Sequence, residues 1–351
     1  MKKRTIAPEQ LDGLVFLSLL TLGTETLPSL LAVAGSAAWL CPLAAGGVVW
    51  LAGRMVRHPF AGRVVLSGSS HHVGSRILGA ILLLWGLFAA AAQAERVGRR
   101  LSEDLRGSAL LLSAAAVLLA AWMASGGLPA LSRAGQIFTM AIGLACSVIV
   151  LFGLPGMRWD WIVLWTGEEL RNVPAGVLEV WGELSVGLYA LLFLEDLEPK
   201  GRRERKGWGK PALLFLLLSL GELQVLGRLG PGLIGEVGRP FLQMVSGLGF
   251  RGAFQRLEEL ASALWLLGDL TLLALLLLSQ RRLLAGAMKR EEAKTLVWLP
   301  SLAVLAAVLL RLPESVCQGG AALRGGSLAG GALLALLAMT AKKSEKNRKG
   351  G

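Results

Sequence analysis

Apolar positions along this chain gather into long unbroken runs, with polar and charged residues collected between them. Taking about 17 to 25 mostly apolar residues as one membrane crossing, ten runs stand out: 14–35, 37–53, 77–94, 108–124, 136–154, 176–194, 211–229, 258–280, 296–312 and 321–340. In lipid a segment must satisfy its own backbone hydrogen bonds, so each run predicts a helix. The pattern predicts an all-α, polytopic membrane protein with ten transmembrane helices.

Two of the runs are interrupted. The first carries "TLGTETLP" at 21–28, which places Gly23, Thr24, Glu25, Thr26 and Pro28 inside an oily segment. An ionised side chain near the bilayer centre costs about 2.5 to 3.5 kcal/mol on insertion scales, so Glu25 must face protein or a wet cavity. The sixth reads "VPAGVLEVWGELSVGLYALLFLEDL" from 173 to 197, with Gly182, Glu183, Leu184 and Ser185 at the corresponding depth.

Breaks five spans apart are what two inverted five-helix repeats produce, the leucine-transporter type of fold with discontinuous helices 1 and 6. On this reading residues 1–154 form the first repeat, 155–340 the second with an outer loop at 155–175, and 341–351 a basic cytoplasmic tail. Half-helices that end at mid-membrane present amide N–H groups on one side and carbonyls on the other, a setting for a small zwitterion. The carboxylate is expected near Gly23 and Thr24 or near Gly182, and the ammonium beside carbonyls with Glu25 or Glu183. The alternative is that glycine and threonine simply let helices pack closely, with Glu25 turned into a polar seam.

Composition supports the membrane reading: 54% of the 351 residues are hydrophobic and 17% charged, with mean hydropathy +0.59. The formal charge of +12 sits in short clusters between runs rather than in one basic stripe, which argues for topology and against nucleic-acid binding. With both termini on the cytoplasmic side, 24 of the 36 lysines and arginines fall inside, including all eleven lysines. The "MKKR" start and the small-residue "AVAG" at 32–35 imitate a secretory signal, but Glu25, Pro28 and the many later spans favour an uncleaved first span.

Cys41, Cys146 and Cys317 lack metal-ligand spacing, and His58, His71 and His72 fall in a basic loop without a further ligand, so no metal site or cofactor is expected. Paired nucleophile and base residues are missing as well, which argues against an enzyme. Glu222 near the end of the seventh span reads as a snorkelling or ion-paired residue with Arg228 as its partner, or as part of an ion path. Asp269, halfway along the eighth span, is expected to carry a proton, contact an ammonium, or pair with a neighbouring helix. Trp159, Trp161 and Trp165 read as headgroup-level anchors of a lid-like loop.

The stretch "GRPFLQMVSGLGFRGAFQRLEELASALWLLGDLTLLALLLLSQ" at 238–280 resembles the spore-germination permeases, the B subunits of nutrient germinant receptors. The carriers are the Arg256-Leu257-Glu258 triplet and Trp265. "IAPEQLDGLVFLSLLTLGTETLPSLLAVAGSAAWLCPL" is similar too, through Gln10, Gly23 and Trp39, although Ala38 stands where an aspartate commonly precedes the Trp. The resemblance implies an amino acid, polyamine and organocation transporter fold in the inner membrane of a bacterial spore. It implies binding of a small-molecule germinant, often an amino acid, between spans one, three, six and eight, and signalling to partner A and C subunits. Trp265 and Asp269 join the expected ligand site on that ground; an ion-coupled amino acid permease is the alternative function.

Overall fold

The computed structural model describes residues 5–55, 73–163, 165–198, 209–237, 239–248, 257–288 and 293–311. Among these residues the chain is helical and forms no strand; an isolated bridge joins Ile6 to Leu197. Helix α1 (Pro8–Gly23) starts where Pro8 needs no hydrogen-bond acceptor, and the Gln10 side chain takes the free Ala7 amide at 3.2 Å. Helix α2 (Leu27–Ala34) restarts after a three-residue interruption, and α1 and α2 turn by 60°.

Helices α3 (Leu40–Met55), α4 (Val73–Leu105), α5 (Ala109–Ser125), α6 (Leu128–Gly153) and the single turn α7 (Asp160–Val163) follow. Helix α8 (Gly167–Leu184) runs into a 3-10 helix at Ser185–Asp196. The remainder is α9 (Gly209–Ile234), α10 (Pro240–Ser246), α11 (Leu257–Met288), a 3-10 turn at Lys294–Val297 and α12 (Trp298–Leu309).

Five stretches are long and apolar enough to cross a membrane: Gly79–Leu105, Leu128–Gly153, Gly167–Phe193, Leu213–Ile234 and Glu258–Met288. The bent α1–α2 pair makes a sixth. The chain is therefore a helical, multi-pass membrane protein. The runs expected at 37–53, 108–124 and 296–312 form the shorter helices α3, α5 and α12, and the run at 321–340 lies outside the described residues.

Helix α11 is the centre of the bundle. It packs against α1, α4, α5 and α6, and its residues from Gly268 to Leu283 are all buried, the leucine-rich run 272–278 together with polar residues such as Asp269, Gln280 and Arg282. Leu111 and Trp122 of α5 and Ile137, Met140 and Leu144 of α6 stay exposed, an apolar outer surface suited to lipid. The α1–α11 crossing is close at Gly268: a Cβ there would lie 3.1 Å from the Leu17 carbonyl oxygen and nearer still to Thr21. That approach brings Asp269, the next residue, against the first span.

Two expectations are corrected. The third span does not stop at 94; α4 continues to Leu105 and carries Arg96, Arg99 and Arg100 as helical residues rather than as loop. The sixth span does not come apart at Gly182. It changes gauge from α to 3-10 at Ser185, whose amide bonds the Trp181 carbonyl and whose hydroxyl donates to the Gly182 carbonyl at 3.0 Å. Glu183 is paired with Arg96, so that acid is accommodated without unwinding.

Replacing Gly268 by leucine should overpack the α1–α11 crossing and destabilise the fold by about 1 to 3 kcal/mol or more. Gly143, whose Cβ position is open, should accept alanine without loss. Thermal unfolding of the two variants in detergent is the measurement.

Candidate ligand site at the break in the first span

Three hydroxyls and a proline build the break. Pro28 has no N–H to offer the Thr24 carbonyl four residues back, so the α1 ladder cannot continue through it. Thr24 donates to the Thr21 carbonyl at 2.8 Å, Thr26 to the Gly23 carbonyl at 2.7 Å, and Ser29 to the Thr26 carbonyl at 2.8 Å. The amides of Thr24, Glu25 and Thr26 still bond back to Leu20, Leu22 and Gly23 at 3.2 Å each. The expected carboxylate seat on free amides near Gly23 and Thr24 is therefore absent. The break is a tight, internally bonded turn, and its recognition groups come from side chains on other helices.

The principal one is Arg100 on α4. Its guanidinium reaches Asp269 on α11 through one nitrogen and Glu25 of the break through the other. The side chains of Arg100 and Asp269 keep 6% and 3% of their accessible surface, whereas Glu25 keeps 35%. Asp269 is thus the desolvated, permanent partner, and Glu25 is the one that water or another anion can replace. Gln93, two turns earlier on the same helical face, donates to the second Asp269 oxygen at 3.3 Å. Trp265, one turn before Asp269, donates its indole N–H to Thr24 Oγ1 at 2.9 Å. Its ring stacks on Phe241 of α10 with centroids 4.9 Å apart.

Asp269 and Gln93 stand behind Arg100, which with Glu25, Thr24, Trp265 and Phe241 lines a cavity of about 260 Å³. Its walls include Thr24, Glu25, Pro28, Phe241 and Trp265, together with four arginines (Arg96, Arg99, Arg100, Arg239) and one further glutamate, Glu103. Arg239 is held at the rim by Glu103 at 2.8 Å and Asp104 at 2.8 Å. Each of these arginines already meets a carboxylate, Arg96 with Glu183, Arg99 with Glu95, Arg100 with Asp269 and Glu25, and Arg239 with Glu103 and Asp104; over the aromatic floor, Glu25 is the partner that an incoming carboxylate can displace from Arg100. This suits a small molecule that carries a carboxylate.

A second cavity of about 530 Å³ lies across α2, sharing Pro28 with the first and lined by Ser36, Asp160, Trp161 and Glu169 among others. Glu169 accepts the Ser36 amide at 3.0 Å and occupies the room that a side chain at Gly35 would need; with φ at +53° that position favours glycine twice over. The tryptophan-bearing loop packs here: Trp165 meets Trp39 with centroids 5.9 Å apart, and the Arg158 guanidinium lies 4.2 Å over Trp161. Asp160 accepts from Arg158 at 2.7 Å, a contact that holds its carboxyl below the usual carboxylate range.

Of the residues expected at the site, Thr24, Glu25, Trp265 and Asp269 come together around Arg100. Gly23 and Thr26 lie at the same break but on the side facing α9. Glu183 joins indirectly, through Arg96. Gly182, Leu184 and Ser185 do not line the cavity.

The expected Glu222–Arg228 pair does not form: Arg228 donates to the carbonyls of Phe152, Gly153 and Pro155. Glu222 instead meets Thr26 at 3.1 Å, because six residues along one helix point two side chains in different directions. Arg256 and the three histidines lie outside the described residues; Glu258 is exposed at the start of α11.

The residues missed are Arg96 and Arg100. Gln93, Arg96 and Arg100 share a helical spacing of three and four, and that spacing was the available signal. Among the described residues, no cluster of His, Cys, Asp and Glu is placed to hold a metal ion. The chain matches no family model and no curated protein.

Removing the Arg100 charge should strand Asp269 in the core. Arg100→Ala is expected to cost about 3 to 5 kcal/mol, and adding Asp269→Asn to it should recover much of that loss. Thermal melts of the single and double variants check this; additive losses would mean the pair is not coupled.

Proposed function

We propose that this protein is a ligand-sensing membrane subunit that binds a small amino acid at the break in its first span. The reading is non-enzymatic: occupancy biases a two-state equilibrium in a larger assembly. The single observation that carries it is the arginine-lined, aromatic-floored cavity against the Thr24–Glu25 turn, where a ligand carboxylate can take the Arg100 nitrogen that Glu25 holds. Glu25, the exchangeable carboxylate, is placed to receive the ligand ammonium once it leaves Arg100.

The resemblance to the germinant-receptor B subunits extends the proposal. The ten-span inverted-repeat fold, cytoplasmic termini, the spore inner membrane, a germinant as ligand and the A and C subunits as partners all belong to it. The supporting features are the helices found at each expected run within the described residues, the bent first span, and Trp265 hydrogen-bonded to that bend. An ion-coupled permease would use the same cavity, and its mark would be uptake into proteoliposomes driven by an ion gradient by this chain alone.

Calorimetry of the purified protein in nanodiscs against the proteinogenic amino acids should find at least one that binds. Leu242→Trp, which narrows the cavity wall, should weaken that ligand about tenfold or more, equivalent to ~1.4 kcal/mol. Binding to no amino acid, or an unchanged affinity in the variant, would remove the site.

A further inference from the structure

We propose that Glu222 is a proton-binding site, occupied at neutral pH, and that Thr26 ties its proton to the geometry of the first-span break. The inference stands on a hydrogen count and does not depend on the ligand reading.

Thr26 Oγ1 lies 2.7 Å from the Gly23 carbonyl oxygen and 3.1 Å from Glu222 Oε1. A threonine hydroxyl has one hydrogen, and both of these neighbours accept when the glutamate is ionised. The shorter contact assigns the hydrogen to Gly23. The contact with Glu222 is then a hydrogen bond only if Glu222 supplies the proton. A neutral Glu222 completes a chain in which its O–H donates to Thr26 and Thr26 donates to Gly23.

Burial points the same way. Glu222 is 3% exposed, and its other carboxyl oxygen is enclosed with no hydrogen-bond partner. An ionised carboxylate in that setting would need a cation, and among the described residues none pairs with it. The groups on the surrounding helices are accounted for. On α3 the Cys41 thiol is within electrostatic range and, if it ionised, would add negative charge. On α9 itself Arg228 is committed to carbonyls. Asp160 of α7 is tied to Arg158, and Arg239, just before α10, to Glu103 and Asp104. The facing turns of α1 and α2 bring hydroxyls and carbonyls, and Glu25 between them is paired with Arg100.

The consequence is mechanical. When Glu222 gives its proton to water it becomes an acceptor, and the Thr26 hydrogen turns toward it. The Gly23 carbonyl then keeps only the Thr26 amide at 3.2 Å, and the turn that carries Thr24 and Glu25 is loosened. Raising the pH should therefore act on the break from the side opposite Arg100.

Infrared difference spectroscopy of the full-length protein in nanodiscs tests this. The wild type at neutral pH should show a carbonyl stretch of a protonated carboxylic acid that shifts in heavy water and fades as the pH is raised. Glu222→Gln should lack that band, while Thr26→Val, which removes the acceptor, should keep it at a shifted frequency. The Thr26 variant assigns the band independently should the glutamine variant fail to fold. Absence of the band in the wild type, or its persistence unchanged in Glu222→Gln, would overturn the proposal and leave Glu222 as an ionised cation ligand.

Discussion

The guanidinium of Arg100 fixes where everything near the first-span break must be. It is a planar donor with rigid geometry and little accessible surface, so it demands well-placed partners. Asp269 and Glu25 answer it from two directions, which pins α4, α11 and the α1–α2 turn to a common register. The close crossing at Gly268 brings α11 against α1 beside this pair. Trp265, one turn before Asp269 on α11, and Gln93, two turns before Arg100 on α4, then fall on the same faces as a matter of helical period.

Much of this was legible in the sequence, for reasons that also mark the limits. The apolar runs predict helices because backbone satisfaction in lipid leaves no other choice, and the first-span break was visible because a proline and a glutamate cannot both sit in an unbroken oily helix. Asp269 was legible as a buried acid for the same reason. What could not be read was the partner. Arg96 and Arg100 follow the hydrophobic stretch ending near Ala94, and charge at a span end looks like a loop until a tertiary partner extends the helix through it. The sixth span misled in the opposite sense: its Gly182, Glu183 and Ser185 looked like a break, yet Arg96 neutralises Glu183 and the backbone tightens instead of opening. Glu222 was assigned to Arg228 by proximity in sequence, which ignores the direction in which a helix aims residues six apart.

The arrangement around α2 has a consequence for motion. This eight-residue helix is joined to α1 by a turn held by hydroxyl hydrogen bonds, and to the α8 end by the Glu169 carboxylate at Ser36. Pro28 forms part of the wall of both cavities. Turns stabilised by side-chain hydrogen bonds have a small set of discrete arrangements, which is the property a two-state switch requires.

Two buried acids flank the same turn and answer to opposite electrostatic settings. Asp269 has the Arg100 guanidinium as a counter-charge; Glu222 faces hydroxyls, carbonyls and a thiol, and has no counter-charge among the described residues. The difference matters because the groups act on adjacent residues of one turn, Glu25 through Arg100 and Thr26 through its single hydrogen. An anion that competes for Arg100 releases the turn at Glu25, and loss of a proton from Glu222 draws on it at Thr26. Glu25 and Thr26 are neighbours in the chain, so the two events act on one turn. By linkage, whatever the anion does to the proton affinity of Glu222, the proton does equally to the affinity for the anion.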